Sequence, residues 1–177
     1  MGVTVSVNNK TVVHKSSNGI TIAFPDACKT PTPGGPVPIP YPNIAKSSDT
    51  AKGTKKVKCD GNPVCVKDSN FSTSTGDEAG TAGGGVVSNK TKGKAEFILY
   101  SFDVKFEGKN VARALDLMLH NDKNTPPTPV IQPPLIAISR VACPCCNKNH
   151  DPKEWKSEEN KGDTNKDLKK LKKNMGK

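Results

Sequence analysis

The sequence has little material for a large hydrophobic core. Hydrophobic residues make up 33% of its 177 residues and aromatic residues 5%, and the hydrophobic share is below that of an ordinary globular domain. No apolar run is long enough to cross a bilayer, and the first residues show neither the basic nor the apolar region of a secretory signal. The sequence therefore predicts a protein made in the cytoplasm, without a membrane anchor, whose small fold needs a metal or a partner surface for stability.

Glycine and proline are abundant, with 15 residues of each, and this predicts many turns and short strands. Alternating β-branched residues predict hairpins over residues 3–14 and 55–67, and strands over residues 94–100 and 102–106. Residues 111–119 have a helical spacing of apolar residues and predict one short helix. No internal repeat is visible. The predicted fold class is mainly β, with short strands and Pro/Gly-rich loops.

A proline-rich segment covers residues 25–42, with proline at seven positions. Because proline cannot donate a hydrogen bond to a neighbouring strand, this segment cannot be a central strand. It is predicted to be an extended loop that lies over a surface, anchored by Ile39, Tyr41 and Ile44.

The formal net charge is +10, and much of it lies in the lysine-rich residues 153–177. A block of this kind is typical of a solvated basic tail. Contact with nucleic acid or with an acidic partner is the alternative. No basic patch with interleaved aromatic residues appears elsewhere, so nucleic acid is not favoured as a partner.

Several short motifs occur in order along the first three quarters of the chain. They lie at residues 24–31, 36–43, 74–81, 84–88, 103–109, 113–116, 121 and 124–126. In this combination the sequence resembles the PAAR-like family of spike-tip proteins of type VI secretion and related contractile injection systems. The resemblance predicts a PAAR-like spike-tip domain over residues 1–130 and a Cys-containing, Lys-rich C-terminal extension over residues 131–177.

The resemblance implies a compact, cone-like β domain on the blunt end of a trimeric spike protein of the valine-glycine-repeat type. Such a domain sharpens the spike and carries or recruits an effector, and the C-terminal extension could bind an effector or adaptor. The protein would be assembled on the injection apparatus and secreted or injected into target cells. Pairing with the edge of a strand is the expected mode of docking.

Six cysteines in a cytoplasmic protein should be reduced, which favours metal binding or simple burial over disulfides. Cys143 and Cys146 have the spacing of a zinc knuckle, and His150 follows. Cys145 could substitute for one of these two thiols. The sequence therefore predicts a structural zinc ion held by Cys143, Cys146 and His150, with a fourth ligand from elsewhere.

The fourth ligand has two candidate sources. Cys59 and Cys65 lie on opposite arms of one predicted hairpin. Cys28 is the one position that matches the Cys of the zinc site which the family resemblance implies, and His14 or His120 could join it. Burial as a small apolar side chain is the alternative for all three cysteines.

The sequence predicts a structural protein and not an enzyme, because no cysteine nucleophile, paired acid and base, or phosphate-binding loop is complete. Two alternatives stay open. In the first, the C-terminal extension is a metal-dependent hydrolase or nuclease that uses His150 and the acidic residues at positions 151, 154, 158 and 159. In the second, the chain is a zinc-stabilised nucleic-acid-binding protein.

Overall fold

The structure, a computed structural model, describes residues 3–135. The prediction of a mainly β fold is confirmed, since the described residues contain fourteen short or extended strands and a single 3-10 turn, Ser47–Asp49. The strands are β1 (Ser6–Val7), β2 (Lys10–Thr11), β3 (Ile20–Thr32), β4 (Gly35–Lys46), β5 (Thr50–Ala51), β6 (Lys58–Cys59), β7 (Asn62–Pro63), β8 (Asn70–Phe71), β9 (Gly84–Gly85), β10 (Ala95–Phe97), β11 (Lys105–Phe106), β12 (Lys109–Asn110), β13 (Leu117–Leu119) and β14 (Thr128–Pro129).

Three of the antiparallel pairs are tight hairpins, β1–β2, β6–β7 and β11–β12. Each has a two-residue turn in which both central residues have positive φ, as a type I′ turn requires. The central pairs are Asn8 and Asn9, Asp60 and Gly61, and Glu107 and Gly108. Asparagine, aspartate and glycine tolerate this backbone conformation best. The hairpins predicted over residues 3–14 and 55–67 are therefore present.

The three hairpins belong to three equivalent segments, residues 5–17, 57–69 and 104–116. Each segment has one valine before its turn and another after it, at Val5 and Val12, Val57 and Val64, and Val104 and Val111. Each then ends in a side chain that accepts a backbone hydrogen bond from three residues earlier, at Ser17, Ser69 and Asp116. The expectation of no internal repeat is wrong, because the repeat consists of turn geometry and small apolar positions with few identical residues.

A closed ring of backbone hydrogen bonds joins the three segments. The N–H of Val13 donates to the carbonyl of Ala112 (3.1 Å), that of Ala112 to Cys65 (3.0 Å), and that of Cys65 back to Val13 (2.8 Å). Three equivalent bonds in a ring give these segments an approximate threefold arrangement. We call the three hairpins together with this ring the collar.

The collar encloses an apolar cluster with the same repeat. Val7, Cys59 and Phe106 occupy equivalent positions next to the turns, and the valines that follow the turns pack beside them. Cys59 therefore stands where the other two segments have valine and phenylalanine, and Cys65 stands where they have Val13 and Ala112.

The helix predicted over residues 111–119 is wrong. Val111 bonds to Val104 of its own hairpin, Ala112 bonds to the other two segments of the collar, and Leu115 has a φ of +67°, which a right-handed helix excludes. Residues 117–119 form β13. The apolar spacing at 111, 115 and 118 reflects an isolated bridge at Val111, a turn at Leu115 and strand β13 at Met118.

Strands β3 and β4 form the longest hairpin, with one irregularity between Ala23 and Asp26. Strand β9 pairs with the other side of β3 at Cys28 and Lys29, so the sheet order is β4-β3-β9. The exclusion of a central strand is wrong for residues 25–32 of the proline-rich segment, because they belong to β3, the middle strand of this sheet. Pro25 and Pro31 are tolerated there because they lie outside the two residues that pair with β9. The predicted loop is also wrong. Residues 35–46 pair along their length with β3 as an edge strand.

A five-stranded sheet of order β14-β13-β10-β8-β5 carries the second apolar cluster. Phe71 and Phe97 pack edge to face there, with ring centroids 5.6 Å apart. Residues after β14 pack on the first collar segment, where the buried Gln132 donates to Thr11 and Val12. Within residues 3–135 no helix is long and apolar enough to cross a membrane. The division into domains at residues 130 and 131 stays a prediction.

Candidate functional site

A cluster of buried polar side chains lies beside β3. Asp26 and Cys28 are two residues apart on that strand, and Asp77 comes from the loop between β8 and β9. All three are fully buried. A carboxylate oxygen from each Asp and the Cys28 sulfur lie within 4.8 Å of one another. This is the one group of three potential metal ligands among the described residues.

Neutral amides surround the carboxylate of Asp26. Asn43 donates to one of its oxygens, and Asn124 donates to the other. Asn121 lies 3.5 Å from the second oxygen and 3.7 Å from the sulfur of Cys28. These asparagines come from β4 and from the loop between β13 and β14, which are far apart in the chain, so the cluster forms only when the whole domain is folded.

The thiol of Cys28 lies between the two carboxylates, 3.7 Å from Asp26 and 3.8 Å from Asp77. Burial, and then the charges of both aspartates, raise the pKa of Cys28 to about 12. Burial also raises the pKa of Asp77, although the N–H of Lys92 donates to both of its oxygens at 3.1 and 3.0 Å. Without a cation the thiol is neutral and donates to the carboxylates.

Gly80 allows the loop of Asp77 to approach β3 closely. A Cβ atom at this position would lie 2.5 Å from the Cβ of Cys28, which is shorter than real contacts allow. The N–H of Gly80 donates to the carbonyl of Asp77 (3.0 Å), so the glycine also closes the turn that presents the carboxylate.

The donor set fits a bound cation. Two buried carboxylates without a cationic partner are costly, and among the described residues no lysine, arginine or histidine forms an ion pair with Asp26 or Asp77. Ligands of a tetrahedral zinc ion are separated by about 3.5 Å, close to the two sulfur–oxygen distances. A thiolate and two carboxylates would fill three positions of such a site.

The collar has its own side-chain contacts, and these are also cyclic. The first turn residue of each hairpin reaches the segment that precedes another hairpin. Asp60 accepts hydrogen bonds from the backbone and side chain of Thr4, and Asn8 donates to Asp103 (3.0 Å). Glu107 accepts from the N–H groups of residues 55–57 at 2.6 to 3.0 Å, which lowers its pKa to about 2.

The remaining predicted ligands lie apart from Cys28. Cys59 and Cys65 are buried in the two different apolar clusters, and burial raises the pKa of both thiols. His14 contacts Asp60 in the collar (3.2 Å), and His120 contacts Thr21 (3.1 Å). The structure therefore brings Cys28 together with aspartates and not with these histidines. Cys143, Cys145, Cys146 and His150 lie outside the described residues.

Sequence reasoning missed Asp26, Asp77 and the three asparagines as members of one cluster. One signal was available, since Asp26 and Cys28 share the spacing that places side chains on one face of a strand. Asp77 carries no such signal, because its approach depends on Gly80 and on the long-range fold.

The fold, together with the clustering of the motif residues at positions 26, 28, 43, 77 and 121, defines a PAAR-like domain. The chain matches the family model described as a toxin PAAR-like domain over residues 19–127, and it belongs to that family. It is 42% identical over 153 residues to the DNase toxin Tse7 of Pseudomonas aeruginosa. That match covers 81% of this chain and 40% of the relative, so the chain spans well under half of the relative's length. No solved structure matches the chain.

The resemblance to PAAR-like proteins is therefore confirmed. The prediction that the chain is not an enzyme is contradicted, because a relative with 42% identity is a DNase toxin. Composition and local motifs could not reveal this, since the sequence contains no recognisable catalytic pattern within the PAAR-like residues.

Proposed function

We propose that this chain is the spike-tip part of a DNA-cleaving effector of a type VI secretion-like contractile injection system. The PAAR-like domain binds the blunt end of a trimeric spike of the valine-glycine-repeat type and travels with it into the target cell. The observation that carries the proposal is the approximate threefold repeat of the collar.

A trimeric spike ends in three identical surfaces around one axis. A single chain can contact all three in the same way only if it repeats its own surface about that axis. The three hairpins of the collar share strand length, turn type and the bonds of the central ring. They therefore offer three similar backbone surfaces to three spike subunits, which supports docking through the collar.

The DNase part of the proposal is supported by the similarity to Tse7. The candidate ligands Asp26, Cys28 and Asp77 are buried and surrounded by protein, so they are unsuited to contact DNA. We therefore assign delivery to the described domain and cleavage to residues outside it. Within this sequence, His150 and the acidic residues at positions 151, 154, 158 and 159 are candidates for that role.

We also propose a structural zinc ion at Asp26, Cys28 and Asp77. A bound zinc ion would neutralise the buried carboxylates, favour the thiolate of Cys28 and tie the loop of Asp77 to β3. The predicted site at Cys143, Cys146 and His150, with Cys145 as a substitute, is a second and independent proposal.

Elemental analysis of the purified full chain distinguishes these two zinc sites. Asp77→Asn together with Cys28→Ser should remove the first site, and Cys143→Ser together with Cys146→Ser should remove the second. Each double variant should lose only its own zinc. Zinc content unchanged in the first double variant, with the domain still folded, would exclude zinc from the buried cluster.

Co-purification with the trimeric spike tests the tip role. The full chain should form a complex of one chain per spike trimer, measured by light scattering after size-exclusion chromatography. Changes of exposed charges in the collar, such as Lys58→Glu with Lys109→Glu, should weaken the complex, whereas Lys123→Glu outside the collar should not. If the full chain forms no complex with the trimeric spike that is encoded beside it, the tip role is contradicted.

DNA cleavage is tested separately, with supercoiled plasmid DNA, Mg²⁺ and the purified full chain. Conversion to nicked or linear DNA should occur, and His150→Ala should reduce it if His150 takes part. If plasmid DNA remains intact while spike binding is retained, this chain alone lacks the DNase activity and the tip proposal is unaffected.

A further inference from the structure

The outer edge of β4 has an unusual distribution of prolines, at positions 36, 38, 40 and 42. Along a strand, successive N–H groups point to opposite edges. Prolines at alternate positions therefore remove the N–H groups from one edge only and leave the other edge intact. The four prolines are exposed, and the backbone N–H groups of the residues between them point towards β3.

The register shows which edge has lost its donors. Ala27 pairs with Pro40, and the carbonyl of Ala27 accepts a hydrogen bond from Val86 on the opposite side of β3. Lys29 pairs with Pro38, and its carbonyl accepts a bond from Ala82 in the same way. The backbone groups of Ala27 and Lys29 therefore point away from β4, so Pro40 and Pro38 point away from β3.

The other end of β4 confirms this parity. Ile44 exchanges two backbone hydrogen bonds with Thr75, at 2.7 and 2.8 Å, on the side away from β3. Pro42 lies two residues before Ile44 and faces the same side. Its carbonyl is covered by Gly76, where a Cβ atom would lie only 2.0 Å from the oxygen.

The free part of this edge, from Pro36 to Pro40, thus offers carbonyl oxygens and no N–H groups. An added β-strand must both donate to and accept from the residues that face it. Three further edges occur in the described multi-stranded sheets, at β5, β9 and β14, and each is two residues long. Of these edges, that of β4 alone is long enough to hold an added strand.

We propose that the outer edge of β4 is closed to strand addition, so that no partner and no second copy of the chain binds this edge as an added strand. The proposal replaces the edge pairing expected from the sequence. It also supplies a reason for the prolines, since a long open edge exposes a protein to self-association. It does not depend on the proposed function.

Matched single variants of the full chain test the geometry. Pro38→Thr introduces an N–H that should point to solvent, and Val37→Thr changes the neighbouring residue whose N–H points to β3. In amide hydrogen exchange followed by NMR, the new amide of the Pro38→Thr variant should exchange at nearly the rate of an unstructured peptide. The amide at position 37 should be protected by roughly a hundredfold or more in both variants.

A triple variant tests the consequence. Pro36→Thr, Pro38→Thr and Pro40→Thr together restore three outward N–H groups without removing a native hydrogen bond. This variant should self-associate with increasing concentration in light scattering, while wild type and Val37→Thr stay monomeric. A protected amide at position 38 in a monomeric Pro38→Thr variant would overturn the assigned geometry. A folded triple variant that stays monomeric at every concentration would overturn the closing role.

Discussion

Replacing His120 with glutamine should remove much of the acid sensitivity of the domain. His120 is fully buried, its Nε2 contacts the hydroxyl of Thr21 (3.1 Å), and its Nδ1 has no partner among the described residues. Burial lowers its pKa from 6.5 to about 4, against the opposing attraction of the Asp26 charge. In the unfolded chain the same ring takes up a proton near pH 6.5.

The sign and size follow from proton linkage. The pKa of His120 is lower in the folded protein than in the unfolded chain. Above pH 6.5 the ring is neutral in both states and does not reduce the free energy of unfolding. As the pH drops from 6.5 towards 4, the unfolded chain takes up the proton first, so the free energy of unfolding falls. A difference of about two and a half pKa units corresponds to a loss of about 3 kcal/mol across this window. Such a loss is a large fraction of the stability of a small domain.

The assay is urea unfolding at intervals between pH 7.5 and 4.5, compared for wild type, His120→Gln and Thr21→Val. The free energy of unfolding of wild type should decline with acidification more steeply than that of His120→Gln. Thr21→Val removes the hydrogen bond to the ring but keeps the titrating group, so it should lower stability and retain the steep decline. Parallel curves for wild type and His120→Gln would refute the assignment.

Three further changes have definite expected outcomes. Gly80→Ala should destabilise the domain by about 1–3 kcal/mol in urea unfolding, because the new Cβ would meet the Cβ of Cys28. Gly34→Ala is the control and should be nearly neutral, since a Cβ at this position has no neighbour within 4 Å. Equal effects of the two substitutions would contradict the close approach of Gly80 to β3. Cys59→Val should change the free energy of unfolding by less than about 1.5 kcal/mol and leave the zinc content unchanged, since the position of Cys59 is equivalent to that of Val7. Loss of zinc from a folded Cys59→Val variant would show that Cys59 is a zinc ligand. Glu107→Gln should lower the free energy of unfolding above pH 4.5, because three backbone N–H groups stabilise the carboxylate and lower its pKa. This effect should disappear as the pH falls towards 2, where the carboxylate of wild type is protonated. An effect that does not change with pH would show that the charge of Glu107 is unimportant.

The local parts of the fold could be predicted from the sequence. The turns at Asn8 and Asp60 are marked by residues that tolerate positive φ, and alternating valines mark the strands beside them. The threefold repeat could not be seen in the same way. It depends on which backbone groups Val13, Cys65 and Ala112 bond to, and these three residues are different and far apart in the chain.

The candidate site was predictable only at Cys28. The proline-rich strand and the cysteine motif placed this thiol in a structured region, but its partners come from distant loops. The sequence favoured histidine partners because histidine and cysteine are common zinc ligands. In the fold, His14 is held by Asp60 and His120 by Thr21, so both are engaged elsewhere. The approach of Asp77 depends on Gly80, and a glycine in a loop has no distinctive pattern.

Within the described domain, the threefold repeat is confined to the collar, so the collar and the remaining elements are suited to different roles. The collar occurs three times, whereas the β3–β4 hairpin and the Asp26 cluster occur once. A threefold partner can be matched only by the repeated part, so selection for docking should act on the collar. The single parts are free of that constraint. Their closed strand edge and glycine-dependent packing suit a rigid, monomeric element, which is what the proposed spike-tip role requires.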